Sequence, residues 1–168
     1  MNRNEIPAYA QELVNLALEN GAVHAVPFVL SDIAFDERTL LKCMFGCSDW
    51  GKGLTCPSRE GFPDLPTWKR MLSNYKWGII IHAHSKAPSQ RASLMLEGRA
   101  FRDGYYMAFS MSDCGLCKEC RHPEKARPAF HSVGIDVFKT VRQLGMEIET
   151  LPDRDYQPQN WYSCVWVE

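Results

Sequence analysis

Six of the seven cysteines fall in two short segments of the chain. In the later segment, Cys114, Cys117 and Cys120 form a C-x2-C-x2-C run. Three thiolates at this spacing can converge on one cubane and each bind a different iron, and bacterial ferredoxins add a remote cysteine that is followed by proline. Cys56-Pro57 has that form. These four cysteines are therefore predicted to bind an iron–sulfur cluster of the [4Fe–4S] type.

The earlier group, Cys43, Cys47 and Cys56, is a three-thiolate set of its own. We call residues 42–57 the first cysteine segment and residues 113–128 the second. Two arrangements are open. In one, Cys56 completes a four-cysteine site with the second segment and leaves Cys43 and Cys47 over. In the other, each segment binds its own cluster, so all six cysteines are candidate metal ligands and one or two clusters are expected.

Structural zinc is the alternative, because zinc also takes four thiolates at close spacing. Zinc ligands usually come as two separated pairs, whereas Cys117 has a cysteine at x2 spacing on both sides, which favours a cluster. The seventh cysteine, Cys164, lies in the strand-like stretch WYSCVWV. There a cysteine most often packs as a small buried hydrophobe, so Cys164 is not expected to bind metal.

Histidines and cations surround the second cysteine segment. His122 and His131 could supply a non-thiolate ligand or donate a hydrogen bond to a cluster sulfur. The sequence leaves open which of these roles, if any, each histidine has. Arg121, Lys125 and Arg127 form a basic patch. Cations there would compensate the negative charge of a thiolate-bound cluster, and the patch could also dock an acidic redox partner protein.

Both cysteine segments lie in stretches without helical or strand periodicity, residues 42–66 and 113–128, so both are expected to be irregular loops. Regular elements are predicted around them. Helices are expected at residues 6–20, 68–75, 89–109 and 137–144, and strands at residues 22–35, 75–83, 146–151 and 161–167. This order favours an α/β or α+β fold with a small mixed β-sheet packed against helices and two cysteine-rich metal-binding loops.

Composition bounds the remaining possibilities. The 168 residues fit a single metal-binding domain over residues 1–168. With 19 Lys plus Arg against 20 Asp plus Glu, the charge balance gives no support to a nucleic-acid partner. A membrane partner is not expected, because the longest apolar run is far too short to span a bilayer. We expect a cytoplasmic location, where clustered cysteines stay reduced and bind metal rather than form disulfides.

Three blocks of the sequence resemble one known family. They are KC-x3-C-x2-WGKG-x2-CP at residues 42–57, EGRAFRDGYYMAF at 97–109, and CRHPEKARP at 120–128 followed by GIDVFKTVRQLG at 134–145. These blocks are similar to the signatures of the predicted metal-binding proteins called domain of unknown function 2284. The resemblance implies metal coordination by the cysteines, and the family has no agreed activity.

The chain departs from the family pattern at one point. The family usually has four cysteines in the second group, and here the residues that separate the last two are absent, so Cys120 stands for one or the other. This departure favours a contribution from the first segment, by Cys56, Cys43 or Cys47, to complete the site. We expect an electron-transfer or redox accessory protein. The alternatives are an enzyme that uses a cluster with an open iron site, and a zinc-stabilised binding module; whether the chain is an enzyme stays open.

Overall fold

The computed structural model describes residues 1–146, 148 and 158–168, and all statements below concern these residues. Its helices are α1 (Tyr9–Glu19), α2 (Thr39–Gly46), α3 (Leu65–Leu72), α4 (Lys86–Arg102) and α5 (Val137–Gln143). Its strands are β1 (His24–Val29), β2 (Trp77–Ala83), β3 (Phe109–Met111) and β4 (Trp161–Trp166). The predicted combination of a small sheet with helices packed against it is confirmed. No helix among the described residues is both long and apolar enough to cross a membrane.

The strands form one sheet in the order β1-β2-β4-β3, and each neighbouring pair is antiparallel. As predicted, the isoleucine run forms an inner strand, and Ile79, Ile80 and Ile81 are fully buried. Pro27 lies in β1, an edge strand, where its missing N–H costs no ladder hydrogen bond. Gly78 of β2 has no room for a side chain, because a Cβ there would lie 2.6 Å from the Phe28 ring.

Helices cover the two faces of the sheet differently. One face packs against α1 and α4, and its buried residues include Leu13, Trp77, Ile79, Leu96 and Val165. The other face packs against α5 and the 3-10 turn Phe130–Val133, and its buried residues include Phe28, Ile80, Met111, Val141, Cys164 and Trp166. Two full cores around one sheet leave the cysteine segments at the margin, where they connect the elements.

The start of the first cysteine segment differs from the prediction. Residues 42–66 were expected to be irregular, but the segment begins inside helix α2. The helix has no buried apolar stripe that could reveal it, because Leu41, Met44 and Phe45 are 53%, 42% and 82% exposed. A helix whose large apolar side chains face outward does not show the periodicity of one packed on a core.

The predicted helix over residues 89–109 is also shorter than expected. It begins at Lys86 and ends at Arg102, and β3 occupies the end of the predicted range. Gly104, with φ +101°, takes a left-handed conformation that ends the helix and lets the chain turn back to the sheet. The strand predicted over residues 146–151 lies largely outside the described residues, so it stays a prediction.

Candidate metal centre

All six predicted cysteine ligands line one cavity of about 770 Å³. The cavity lies between the two cysteine segments, next to the first turns of α4, the residues that follow β3, and the 3-10 turn at Phe130–Val133. The cysteines on its wall are Cys43, Cys47, Cys56, Cys114, Cys117 and Cys120. Segments that are far apart in the sequence therefore meet at one place, as the prediction of a shared site requires.

Backbone pairing positions the first cysteine segment. The chain that enters α2 is joined to the chain that enters α5, since the Asp36 N–H donates to the Gly134 carbonyl at 2.8 Å and the Asp136 N–H donates to the Ala34 carbonyl at 2.9 Å. Helix α2 then packs on the 3-10 turn at the cavity wall. As a result, Cys43 faces the cavity from α2.

Cys43 and Cys47 lie in different surroundings although they are close together in the sequence. Cys43 is half-buried, whereas Cys47 directly follows α2 and is exposed. Burial raises the pKa of the Cys43 thiol to about 11, and the nearby Cys47, Cys56 and Asp113 add to the rise. An uncompensated thiolate is thus disfavoured at Cys43, and a bound cation would be needed to hold it deprotonated.

Hydrogen bonds favour the thiolate of Cys56. Its sulfur accepts from the Gly51 N–H at 3.2 Å and lies 3.1 Å from the Ser58 hydroxyl oxygen. Burial alone would raise the pKa of this thiol, but the bonds from Ser58 and Gly51, together with the charge of Arg59, lower it below its usual value. Cys56 is therefore prepared to act as a thiolate ligand.

One hydrogen bond joins the two cysteine segments directly at a cysteine. The Leu54 N–H of the first segment donates to the Cys120 sulfur of the second at 3.1 Å. Beside it, the Thr55 hydroxyl donates to the Arg127 carbonyl at 3.2 Å. Backbone N–H groups that point at cysteine sulfur are the contacts that tune thiolate-bound metal sites.

A half-buried ion pair fixes the end of the second cysteine segment to α4. Arg127 binds the carboxylate of Glu97 in α4, with Nε 2.9 Å from Oε2, and the same Nε lies 3.0 Å from the Ser110 hydroxyl. The Glu97 carboxylate also accepts the Ser110 N–H at 2.6 Å. Burial opposes ionisation of Glu97, but the bonds from Arg127 and Ser110 outweigh it and lower the pKa of the carboxyl group.

This ion pair corrects part of the predicted basic patch. Arg127 was grouped with Arg121 and Lys125 as a cation for a cluster or an acidic partner. In the structure its guanidinium is turned into the protein and bound to Glu97, and only 15% of the side chain is exposed. Arg121 is 79% exposed and pairs with Glu119. Arg127 therefore has a structural partner and is not a free docking cation.

The remaining candidates divide as follows. Cys164 is fully buried in β4, opposite Ile80 and Met111, so the prediction that it packs as a core residue is confirmed. His122 and His131 both line the cavity. His122 also pairs with Glu124, at 3.1 Å from Nδ1 to the carboxylate. Ligation by either histidine stays a prediction.

The donor chemistry of the cavity fits a metal that prefers sulfur. The six thiols that line it are the soft ligands that select iron–sulfur clusters, zinc or Cu(I). Within the described part of the chain, no three His, Cys, Asp or Glu side chains are close enough together to hold a single metal ion. The support for metal binding is thus the shared cavity and its donor set, not a preformed coordination sphere.

Comparisons with known proteins agree with this assignment. No curated protein and no solved structure matches the chain. One family model does, that of the predicted metal-binding protein DUF2284, and it covers residues 27–167. The matched region contains both cysteine segments and nearly the whole sheet. The chain therefore belongs to the family of predicted metal-binding proteins known as domain of unknown function 2284.

Proposed function

We propose that this protein binds a [4Fe–4S] cluster with cysteines of both segments and serves as an electron-transfer or redox accessory protein. The observation that carries the proposal is the convergence of six thiols on one cavity, with the Leu54 N–H bound to the Cys120 sulfur across the two segments. Of the six, Cys114, Cys117, Cys120 and Cys56 form the preferred ligand set.

The choice of Cys56 as the fourth ligand has two supports. Its sulfur already accepts a hydrogen bond that favours a thiolate. The two residues that precede it, Leu54 and Thr55, donate hydrogen bonds to the second segment. A thiolate that accepts N–H donors is stabilised in its charged form, and such donors also raise the potential of a cluster. This arrangement leaves Cys43 and Cys47 as additional thiols that line the same cavity.

The surrounding residues suit one-electron chemistry. When bound, a cluster of this type accepts and releases single electrons. Lys42, Lys86 and Lys125 line the cavity and would offset the negative charge of four thiolates, while Trp50 covers part of its wall. A partly covered site limits solvent access, which tunes the potential. These residues would neutralise the charge of a cluster and shield it from solvent, and electron transfer requires no reaction of their side chains.

A second candidate, an enzyme with an open iron corner, is favoured by one observation. The Ser112 hydroxyl is buried on the cavity wall and has no hydrogen-bond partner among the described residues. A buried hydroxyl without a partner is costly, and a polar ligand in the cavity would satisfy it. A change in the spectrum of the cluster on addition of a small polar ligand would favour this candidate over plain electron transfer.

The proposal is tested on protein purified without oxygen. We expect brown protein with about four iron and four sulfide per chain. Cys117→Ser should lose most of that iron, whereas the matched control Cys164→Ala removes a thiol outside the cavity and should keep it. Colourless protein with stoichiometric zinc and no sulfide would overturn the proposal in favour of a zinc-stabilised module. Equal iron loss in both variants would overturn the ligand assignment.

A further inference from the structure

We infer that Gln90 is the positioning residue of the second cysteine segment: one buried amide binds the backbone between Cys114 and Cys117, binds it again at Lys125 after the last cysteine of the run, and also contacts the Cys114 sulfur. The inference rests on the proposed function and adds the residue that fixes the geometry of the site. Gln90 lies in the second turn of α4 and is only 1% exposed, although it lines the cavity.

The amide oxygen of Gln90 holds the start of the cysteine run. It accepts the N–H of Gly115 at 2.6 Å and the N–H of Leu116 at 3.0 Å. These two residues separate Cys114 from Cys117. Because both lone pairs of one oxygen are used on consecutive N–H groups, the peptide between the two cysteines has a fixed orientation relative to α4.

The amide nitrogen of Gln90 binds the second cysteine segment again beyond its last cysteine. It donates to the Lys125 carbonyl at 2.9 Å and lies 3.9 Å from the Cys114 sulfur, within the range of a weak N–H···S bond. The side chain thus uses both donors and both acceptor positions, so this buried polar group carries no unsatisfied atom. Neither a carboxylate nor an apolar side chain of similar size could make all four contacts.

The packing of Gly115 gives independent support. A Cβ on Gly115 would lie 2.5 Å from the Lys86 Cβ and 2.8 Å from the Ala87 nitrogen, so only glycine permits this approach to the first turn of α4. The cysteine run is therefore pressed against the same helix surface that presents Gln90. Close backbone contact and a saturated amide at one place indicate a fixed geometry rather than an incidental contact.

Two variants separate the roles of the amide. Gln90→Leu removes every polar contact, and we expect iron per chain to fall at least twofold and the Gly115 and Leu116 amides to exchange hydrogen about tenfold faster. Gln90→Glu keeps an acceptor for both N–H groups but loses the two donations and adds a negative charge. It should retain amide protection better than Gln90→Leu, while the potential of the cluster shifts to lower values.

Gln11→Leu is the matched control, since Gln11 is an exposed helical glutamine whose side-chain amide donates to Asn15 on the same helix. It should leave iron content, potential and exchange unchanged. If wild-type protein binds iron and both Gln90 variants match it in iron, potential and exchange, the inference is overturned while the proposed function stands. If wild-type protein binds no iron, the proposed function fails, and the exchange rates of the two amides still decide whether Gln90 holds the segment.

Discussion

The two cysteine segments supply equal numbers of thiols to one cavity, but the protein holds them in different ways. The second segment is fastened to α4 by buried or half-buried side chains, through Gln90 and through the pair of Glu97 with Arg127. The first segment is held by backbone hydrogen bonds within itself, as in the bond from Gly51 to Cys56, and by the bonds that Leu54 and Thr55 donate to the second segment. The difference teaches that the second segment depends on side chains of α4, whereas the first depends on backbone contacts and on the second segment.

The exposure of the first segment supports this division. Helix α2 buries only Thr39 and leaves Phe45 82% exposed. An element with so little buried apolar surface gains little from packing and opens at low free energy. A bound metal would add the contacts that the core does not provide, because its affinity for the closed form stabilises that form.

Removal of the Glu97 carboxylate is expected to have the largest effect on the attachment of the second segment. Glu97→Ala leaves Arg127 half-buried without its partner, and we expect a loss of about 2–3 kcal/mol in the free energy of unfolding, measured with urea. Iron content should fall as well, since the second segment loses its attachment to α4. The control Glu12→Ala breaks the exposed pair with Arg99 and should cost less than about 1 kcal/mol. Equal losses of unfolding free energy in the two variants would show that the pair of Glu97 with Arg127 does not anchor the second segment.

The sequence revealed the central features of the fold and the site through strong local signals. The isoleucine run of β2 and the apolar setting of Cys164 predicted buried strand positions, and both are fully buried. Cysteine spacing left a shared site and two separate sites open, and the six cysteines line one cavity. The number of clusters stays a prediction. These features depend on residue type and spacing alone, so no knowledge of the tertiary structure was needed.

Other features depend on tertiary contacts and were missed. Gln90 is a polar helical residue of a type that is usually exposed, and nothing in its neighbours signals that it is buried against a loop 25 residues away. Glu97 and Arg127 lie in two of the blocks that resemble the family, but each block holds charges of both signs. The sequence therefore did not single out this pair.

The hydrogen bond between the two segments, from the Leu54 N–H to the Cys120 sulfur, is expected to have a smaller effect on iron retention. Leu54→Pro removes the N–H that donates to the Cys120 sulfur, whereas Leu54→Ala keeps it. Loss of one such bond is worth on the order of 1 kcal/mol, so iron should be released to a chelator several-fold faster from the proline variant. The alanine variant should release iron at nearly the wild-type rate. If both variants release iron equally fast, the backbone donor has no role and only the leucine side chain matters.

The central claim is that cysteines of both segments bind the same iron–sulfur cluster. The most direct measurement is iron and sulfide per chain in Cys56→Ala, Cys114→Ala and the double variant, all purified without oxygen. Because one shared cluster is lost as a unit, each single substitution should remove most of the iron and the double substitution should remove little more. If each single variant loses about half and the double variant loses all, the segments bind separate clusters, and the account of a shared site is contradicted.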